Sequence, residues 1–308
     1  MAHDIVILGV FVADAAFRCG RLPAAGETLI GTGFTLGPGG KGSNQAVAAA
    51  KAGGDVGFVV RLGEDTFADM AAAIWDRAGV TPHVTRDPDT GTGAAGIFVE
   101  EATGQNAIVI SPGAAGKITV EDIERHGDLI RGAKVVVTQL EQSVAAARRF
   151  LEIGRDGGAI TILNPAPAAE LSDEVLALCD LITPNETETE ALTGLPVTSP
   201  AEAEIAAQAL LDRGVRQAVI VTFGAKGAMV HDGRVARMVP PMNAGPAIDT
   251  TGAGDAFNGG LATALAEGQS LDAALQFATA TAALSVTQEG TAASMPTRAD
   301  IETLLAQG

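Results

Sequence analysis

An α/β fold with a central, mostly parallel sheet is predicted by three features of this 308-residue sequence. Short Val/Ile-rich runs alternate with Ala-rich helical stretches for most of its length, which implies right-handed crossovers between strands. Several of the runs are apolar throughout, as expected of a parallel strand covered by helices on both faces. Two stretches, 15–38 and 91–111, break the rhythm with shorter strand-like pieces and turn residues.

In chain order, the expected strands are DIVILGV (4–10), VGFVVRLG (56–63), KVVVTQL (134–140), AITILNPAP (159–167), LITPNE (181–186) and QAVIVTFG (217–224). Helices are expected over 42–52, 65–78, 119–131, 143–156, 200–213, 252–267 and 270–287. In the second irregular stretch, EEATGQN makes a hairpin turn between GIFV and AIVI. The two irregular stretches read as one small β-lid built from two excursions, and equally as ordinary edge hairpins; periodicity does not separate the two. Lids often exclude water from group transfer. TGLPVTSP (193–200) reads as a surface loop between helices.

Composition narrows the function. Hydrophobic residues make up 47% of the chain, enough for a large core, with no Tyr and a single Trp at position 75. A formal net charge of -17 and the lack of an aromatic platform argue against a nucleic-acid partner. An acidic surface confers solubility and still permits an anionic substrate in a local site. No apolar run approaches a membrane span, and MAHDIVILGVFVAD lacks the basic start of a secretory signal. Cys19 and Cys179 show no metal or redox spacing, so a reducing cytoplasm is the simplest setting.

Familiar catalytic patterns are missing. GGKGSN (39–44) has Gly42 where a phosphate-binding loop needs Ser or Thr, and no G-x-S-x-G or H-E-x-x-H occurs. His3, His83, His126 and His231 are scattered along the chain, which argues against histidine-centred catalysis. Glycine-rich segments instead recur where strands end or helices begin: GPGGKGSNQ (37–45), TFGAKG (222–227) and TTGAGD (250–255). Ligands of open α/β sheets collect at that edge. The bare amides at a helix start hold anions, so TGAG before the 255–267 segment is a candidate anion site. Asp255 at the same place can take a proton from a hydroxyl while the amides hold developing negative charge. Taken alone, the segment is equally a packing junction whose Asp satisfies the helix dipole.

GPGGKGSNQAVAAAKAG followed by DTTGAGDAFNGG closely resembles the ribokinase family of carbohydrate kinases. LNPAP, TPNETE, VTFGAKG and AALSVTQEGTAASMP follow in the family's order, so the resemblance spans essentially the whole chain. It implies a ribokinase-like three-layer α/β/α sandwich with a β-lid, and ATP-dependent phosphorylation of the primary hydroxyl of a sugar. Ribose or a close relative is the expected substrate. By the resemblance Asp255 is the catalytic base, with Gly252, Ala253 and Gly254 as the anion hole. Asp14, Gly40, Lys41, Asn44 and Glu141 would contact the sugar. Asn185 would lie near the nucleotide phosphates and Glu188 would organise Mg2+. Thr222, Gly224 and Gly227 would lie under the nucleotide. Asp249, Thr251, Ser285, Gln288, Gly290 and Ser294 would surround a monovalent cation, K+, most of them through backbone carbonyls.

Two positions depart from the family pattern. An Asn expected three residues before Asp14 is Phe11, which predicts a preference other than strict ribose selectivity unless Phe11 faces the lid core. A histidine expected at the nucleotide base is Thr279. Kinases of fructose, deoxyribose, a nucleoside or a phosphorylated hexose (gripped by Arg18 or Arg21) are alternatives, as is a non-catalytic sugar-binding regulator. The intact Asp255, Glu188 and anion hole argue against the last. Exposed apolar lid residues (Ile30, Phe34, Ile97) predict a homodimer paired through the lid.

Overall fold

The computed structural model describes residues 2–101, 103 and 105–307. Its first half runs β1 (Ile5–Leu8), β2 (Val12–Cys19), β3 (Gly33–Gly39), α1 (Lys41–Lys51), β4 (Val56–Leu62), α2 (Thr66–Ala78), β5 (Thr81–Arg86), β6 (Thr92–Glu100) and β7 (Asn106–Gly113). Then come α3 (Val120–Arg125), α4 (Gly127–Arg131), β8 (Val135–Thr138), α5 (Val144–Asp156), β9 (Ile160–Leu163), α6 (Asp173–Leu176) and β10 (Leu181–Ile182). The chain finishes with α7 (Glu186–Thr193), α8 (Pro200–Asp212), β11 (Ala218–Thr222), β12 (Ala228–His231), β13 (Ala236–Val239), α9 (Ala253–Ala266), α10 (Leu271–Ser285) and α11 (Arg298–Leu305).

Nine strands form the main sheet in the order β13-β12-β11-β10-β9-β8-β1-β4-β5, with every pair parallel except the two made by β12, which is antiparallel to both β11 and β13. Strand alternation explains the layers. Ile5 and Ile7 of β1 join a core with α1, α2, α9 and α10, whereas Val6 and Leu8 join one with α3, α4 and α5. Farther along the sheet, Ala218 and Ile220 of β11 face the first core, while Val219 and Val221 pack with α7 and α8. Each fully buried aliphatic side chain contributes about 1.5–3 kcal/mol, which is why these strands are apolar on both faces. The predicted three-layer sandwich is present.

The second sheet is the lid, in the order β3-β2-β6-β7, with β2 and β6 parallel and its other pairs antiparallel. Its strands come from two separate parts of the chain, Val12–Gly39 and Thr92–Gly113. Of the predicted turn between β6 and β7, Ala102 and Gly104 lie outside the described residues.

The structure adds β5, β12, β13, α6, α7 and α11 to the predicted elements and splits the 119–131 helix at His126. Capping residues start most helices: Asp65, Thr119, Ser143, Asn185, Ser199, Ser270 and Thr297 each accept a backbone N–H of the first turn. Three of the four histidines come together in space, whereas His231 stays apart in β12. The rings of His3 and His126 lie 5.5 and 5.8 Å from that of His83. His3 Nδ1 is 2.6 Å from Asp55 Oδ1. Among the described residues no group of three His, Cys, Asp or Glu side chains is arranged to hold a metal, and no helix is long and apolar enough to cross a membrane.

Strand order reverses between β1 and β8: from β1 the sheet grows through β4 and β5, and later through β8 to β11 on the other side. The carboxyl ends of strands flanking such a reversal form a crevice where ligands bind.

Candidate active site

At that crevice the chain leaves β1 through Gly9 and Val10, detours through the lid hairpin and returns at Gly40 to start α1. Gly40 has φ 92°, and a Cβ there would lie 2.4 Å from the Val10 carbonyl oxygen. Only glycine accommodates that return. The turn sets Lys41 at the helix start, where its backbone N–H donates to Glu141 Oε2 at 2.7 Å, just beyond β8.

Asp255 enters from α9, which lies close against α1. A Cβ at Gly259 would sit 2.5 Å from Ala48 Cβ, so the glycine permits the contact. One turn closer to the crevice, Asn44 Nδ2 donates to Asp255 Oδ2 and Gln45 Nε2 to Oδ1, both at 3.0 Å. The network continues inward. Gln45 Nε2 also donates to Asn164 Oδ1 (3.1 Å), and Gln139 Nε2 donates to Gln45 Oε1 (2.6 Å). Asn164 Nδ2 donates to the Thr183 carbonyl, Thr183 Oγ1 to Asn258 Oδ1, and Asn258 Nδ2 to the Gly254 carbonyl. A chain of buried amides thus runs from the end of β8, past Asp255, to the start of α9.

The start of α9 has the features of an anion site. Gly252 caps it at φ 81°, with no side chain capping the first turn. The Ala253 N–H is taken by the Thr250 carbonyl at 3.3 Å, so that donor of the predicted anion hole is engaged. Among the described residues no acceptor takes the Gly252, Gly254 or Asp255 N–H groups.

Acids crowd the crevice. Burial pushes the Asp255 carboxyl up, while the Lys41 charge and the Asn44 and Gln45 amides pull it back down. Burial raises Glu141 to about 7, with the Lys41 N–H and charge opposing and Asp255 and Asp14 adding repulsion. Burial also raises Asp14 to about 6 and pushes Glu188 up. The Asn44 Oδ1 atom is buried and unpartnered. The cluster therefore offers many acceptors and few donors, with Lys41 as the cation among Glu141, Glu188 and Asp255.

A second group lies along the same edge of the sheet. Asn185 caps α7 in a reciprocal box: Asn185 Oδ1 accepts the Glu188 N–H at 2.8 Å and Glu188 Oε2 accepts the Asn185 N–H at 2.9 Å. Glu188 Oε1 and Asn185 Nδ2 have no partner among the described residues. A parallel bridge joins Asn185 to Thr222 at the end of β11. The turn from Gly224 to Gly227 follows, with φ of 52° and 92° at those glycines. A third group forms around Asp249, whose Oδ1 accepts the Thr251 N–H (2.9 Å) and Oδ2 the Gly290 N–H (3.0 Å). Burial opposes ionisation there, but these bonds and the Arg18 charge outweigh it and hold the carboxyl below its usual range.

Several predicted site residues have their side chains committed elsewhere. Phe11 is fully buried, its ring edge-on to Trp75 at 5.7 Å, and packs with Ala13 in the main core rather than facing a ligand or the lid core. Alternation along β2 puts Val12, not Phe11, on the Asp14 face. Thr279 is buried and donates its hydroxyl to the Leu275 carbonyl at 2.8 Å, so its proton is not free for a nucleotide base. Ser285 and Ser294 donate their hydroxyls to the Ala282 and Thr291 carbonyls and Gln288 is exposed, so a cation contact of theirs would run through backbone carbonyls, as the resemblance implies. Arg21 is paired with Glu27 and is not free for a phosphate. Sequence reasoning missed Gln45, Gln139, Asn164, Thr183 and Asn258; a side-chain amide or hydroxyl within or beside an otherwise apolar strand or helix was the available signal.

The family model for pfkB family carbohydrate kinase matches residues 2–298. A ribokinase of Haemophilus influenzae is 38% identical over 299 residues, covering 97% of each chain. A deoxyribokinase of Salmonella typhi is 39% identical over 297 residues, covering 95% of each. Among solved structures, that of Arabidopsis thaliana ribokinase complexed with ribose and ATP aligns with a TM-score of 0.91 at 33% identity, over 99% of both chains.

Proposed function

This chain belongs to the pfkB family of carbohydrate kinases, and from that premise we propose that it transfers the γ-phosphate of ATP to the primary hydroxyl of a pentose, ribose first. The observation that carries the sugar reading is the excess of acceptors at the crevice. Asp14, Glu141, Asp255 and the buried, unpartnered Asn44 Oδ1 form a group of acceptors that a donor-rich molecule would satisfy. A polyol supplies those donors, and an unpaired buried acceptor costs about 1–3 kcal/mol until it does.

Asp255 accepts the proton of the attacking hydroxyl, and its ionised form is favoured by the Asn44 and Gln45 donors. The free N–H groups of Gly252, Gly254 and Asp255 stabilise charge on the transferring phosphoryl. Lys41 balances the acids as the reactants close in. The unpartnered Glu188 oxygen suits a partly hydrated Mg2+, which takes few protein carboxylates; when bound, that ion neutralises phosphate charge. Asn185, Thr222, Gly224 and Gly227 lie on one edge and would support the nucleotide phosphates. Asp249, tied to Gly290, would hold K+ beside the anion hole together with neighbouring carbonyl groups.

Deoxyribose is the second reading. Val12, paired with Gly39 and Gly93, puts an apolar side chain on the Asp14 face, where a sugar lacking one hydroxyl loses nothing. We place a homodimer contact on the lid, where Phe34, Phe17 and Phe98 form a ladder and Phe34 and Ile30 are 59% and 96% exposed; Ile97 is half-buried. Both cysteines are buried and unpaired, which fits a reducing cytoplasm. Coupled ADP detection over a panel of pentoses, deoxypentoses, ketohexoses, phosphosugars and nucleosides tests the reading. Turnover confined to nucleosides or phosphosugars would refute it.

A further inference from the structure

We infer that Gln45 is a positioning residue that fixes the plane of the Asp255 carboxylate, and that Gln139 fixes Gln45. The inference rests on the reading of Asp255 as the base. A carboxylate on its own rotates broadly about its last side-chain torsion. Here Gln45 Nε2 donates to both Asp255 Oδ1 and Asn164 Oδ1, and Gln45 Oε1 accepts from Gln139 Nε2. Flipping the Gln45 amide would turn its carbonyl onto two acceptors and its NH2 onto a donor, so one orientation survives.

Asn44 also holds Asp255, but its other amide atom, Oδ1, lacks a protein partner, so it is suited to meet the sugar. Gln45 is fully buried, with both amide atoms committed to protein. Its hold on Asp255 therefore exists before any ligand arrives. Gln139 is seated for this purpose at some disadvantage. Its Oε1 is buried without a partner, close to where Cβ atoms on Gly9 and Gly42 would lie. With one lone pair of each Asp255 oxygen taken by an amide, the remaining pairs point in fixed directions toward the incoming hydroxyl.

Gln45→Met keeps the side-chain volume and removes the donor; Gln139→Met removes only the buttress. The kcat–pH profile, together with KM for the sugar, separates positioning from mere folding. Removing a donor to the charged form favours protonated Asp255. For Gln45→Met, the acidic limb should move up by about one to two pH units, with kcat below that limb falling about 10- to 100-fold. KM should change little. Gln139→Met should move the limb the same way by less. A Gln45→Met profile that superimposes on wild type, whatever its height, overturns the inference. Should that variant fail to fold, a superimposing Gln139→Met profile does so instead. Failure of the base reading shows separately, as retained turnover in Asp255→Asn.

Discussion

Replacing Asp255 by Asn separates chemistry from folding, because the structural costs nearly offset one another. The carboxylate accepts two amide hydrogen bonds at 3.0 Å. An Asn there keeps one acceptor and must turn its NH2 toward either Asn44 Nδ2 or Gln45 Nε2, both donors. Losing one bond to a charged group costs about 1.5–3 kcal/mol. Against this, a buried charge disappears, and removing such a charge recovers part of its desolvation penalty. The net change should stay within about 2 kcal/mol, a melting shift of several degrees at most. Removing the base costs roughly 10²–10⁴-fold in kcat, or about 3–5 kcal/mol of barrier. Coupled ADP release at saturating sugar and ATP, with thermal melting on the same preparation, reads both. More than about a tenth of wild-type turnover in a natively melting variant would refute the base assignment. A collapse of both would make Asp255 a structural residue.

Other expectations follow from the same geometry. Val12→Asn should shift the ratio of kcat/KM for ribose over 2-deoxyribose toward ribose by roughly ten- to a hundredfold; a ratio within about twofold of wild type removes Val12 from the sugar site. Phe11→Asn should instead destabilise the fold by about 3–5 kcal/mol through the lost core ring, seen by denaturant melts. Replacing K+ by a large organic cation should lower wild-type turnover and leave Asp249→Ala indifferent; indifference of both proteins removes the cation site. The Glu141 carboxyl is raised in the folded state from 4.5 to about 7, so the native protein binds more protons than the unfolded chain within that window. Stability contributed by this group therefore falls as pH rises from 4.5 to about 7. Glu141→Gln should gain on wild type over that range and not below it, in urea melts taken across pH.

The apolar strands were legible because burial on both faces leaves no choice of residue, as in Ile5–Leu8. The strands β12 and β13 were not, because His231 and Arg237 interrupt their apolar character at the sheet's edge. Asp255 and its glycines stood out since an acid among bare amides is locally odd. Phe11 was singled out and Val12 passed over because the alternation that puts Val12 on the Asp14 face shows only once β2 is known to start at Val12. The histidine cluster escaped notice for a related reason. His3, His83 and His126 are far apart in sequence and meet only when β5 lies beside β4. Gln45 and Gln139 each looked like one polar residue beside a motif, and their partnership exists only across the crevice.

The lid has a consequence for how the chain can assemble. Its central pair joins β2 to β6 in parallel, and the whole segment from Lys41 to Arg86 intervenes between them. A growing chain that has not yet made Thr92 carries a two-stranded ribbon with one edge of β2 bare and Phe17 uncovered. Such an edge invites pairing with another chain. The lid is thus no detachable module: its two hairpins can join only after the Lys41–Arg86 segment between them has been made, and long-range pairing of this kind is slow. Truncation or stalling between the two excursions would release a sticky ribbon in place of a cover.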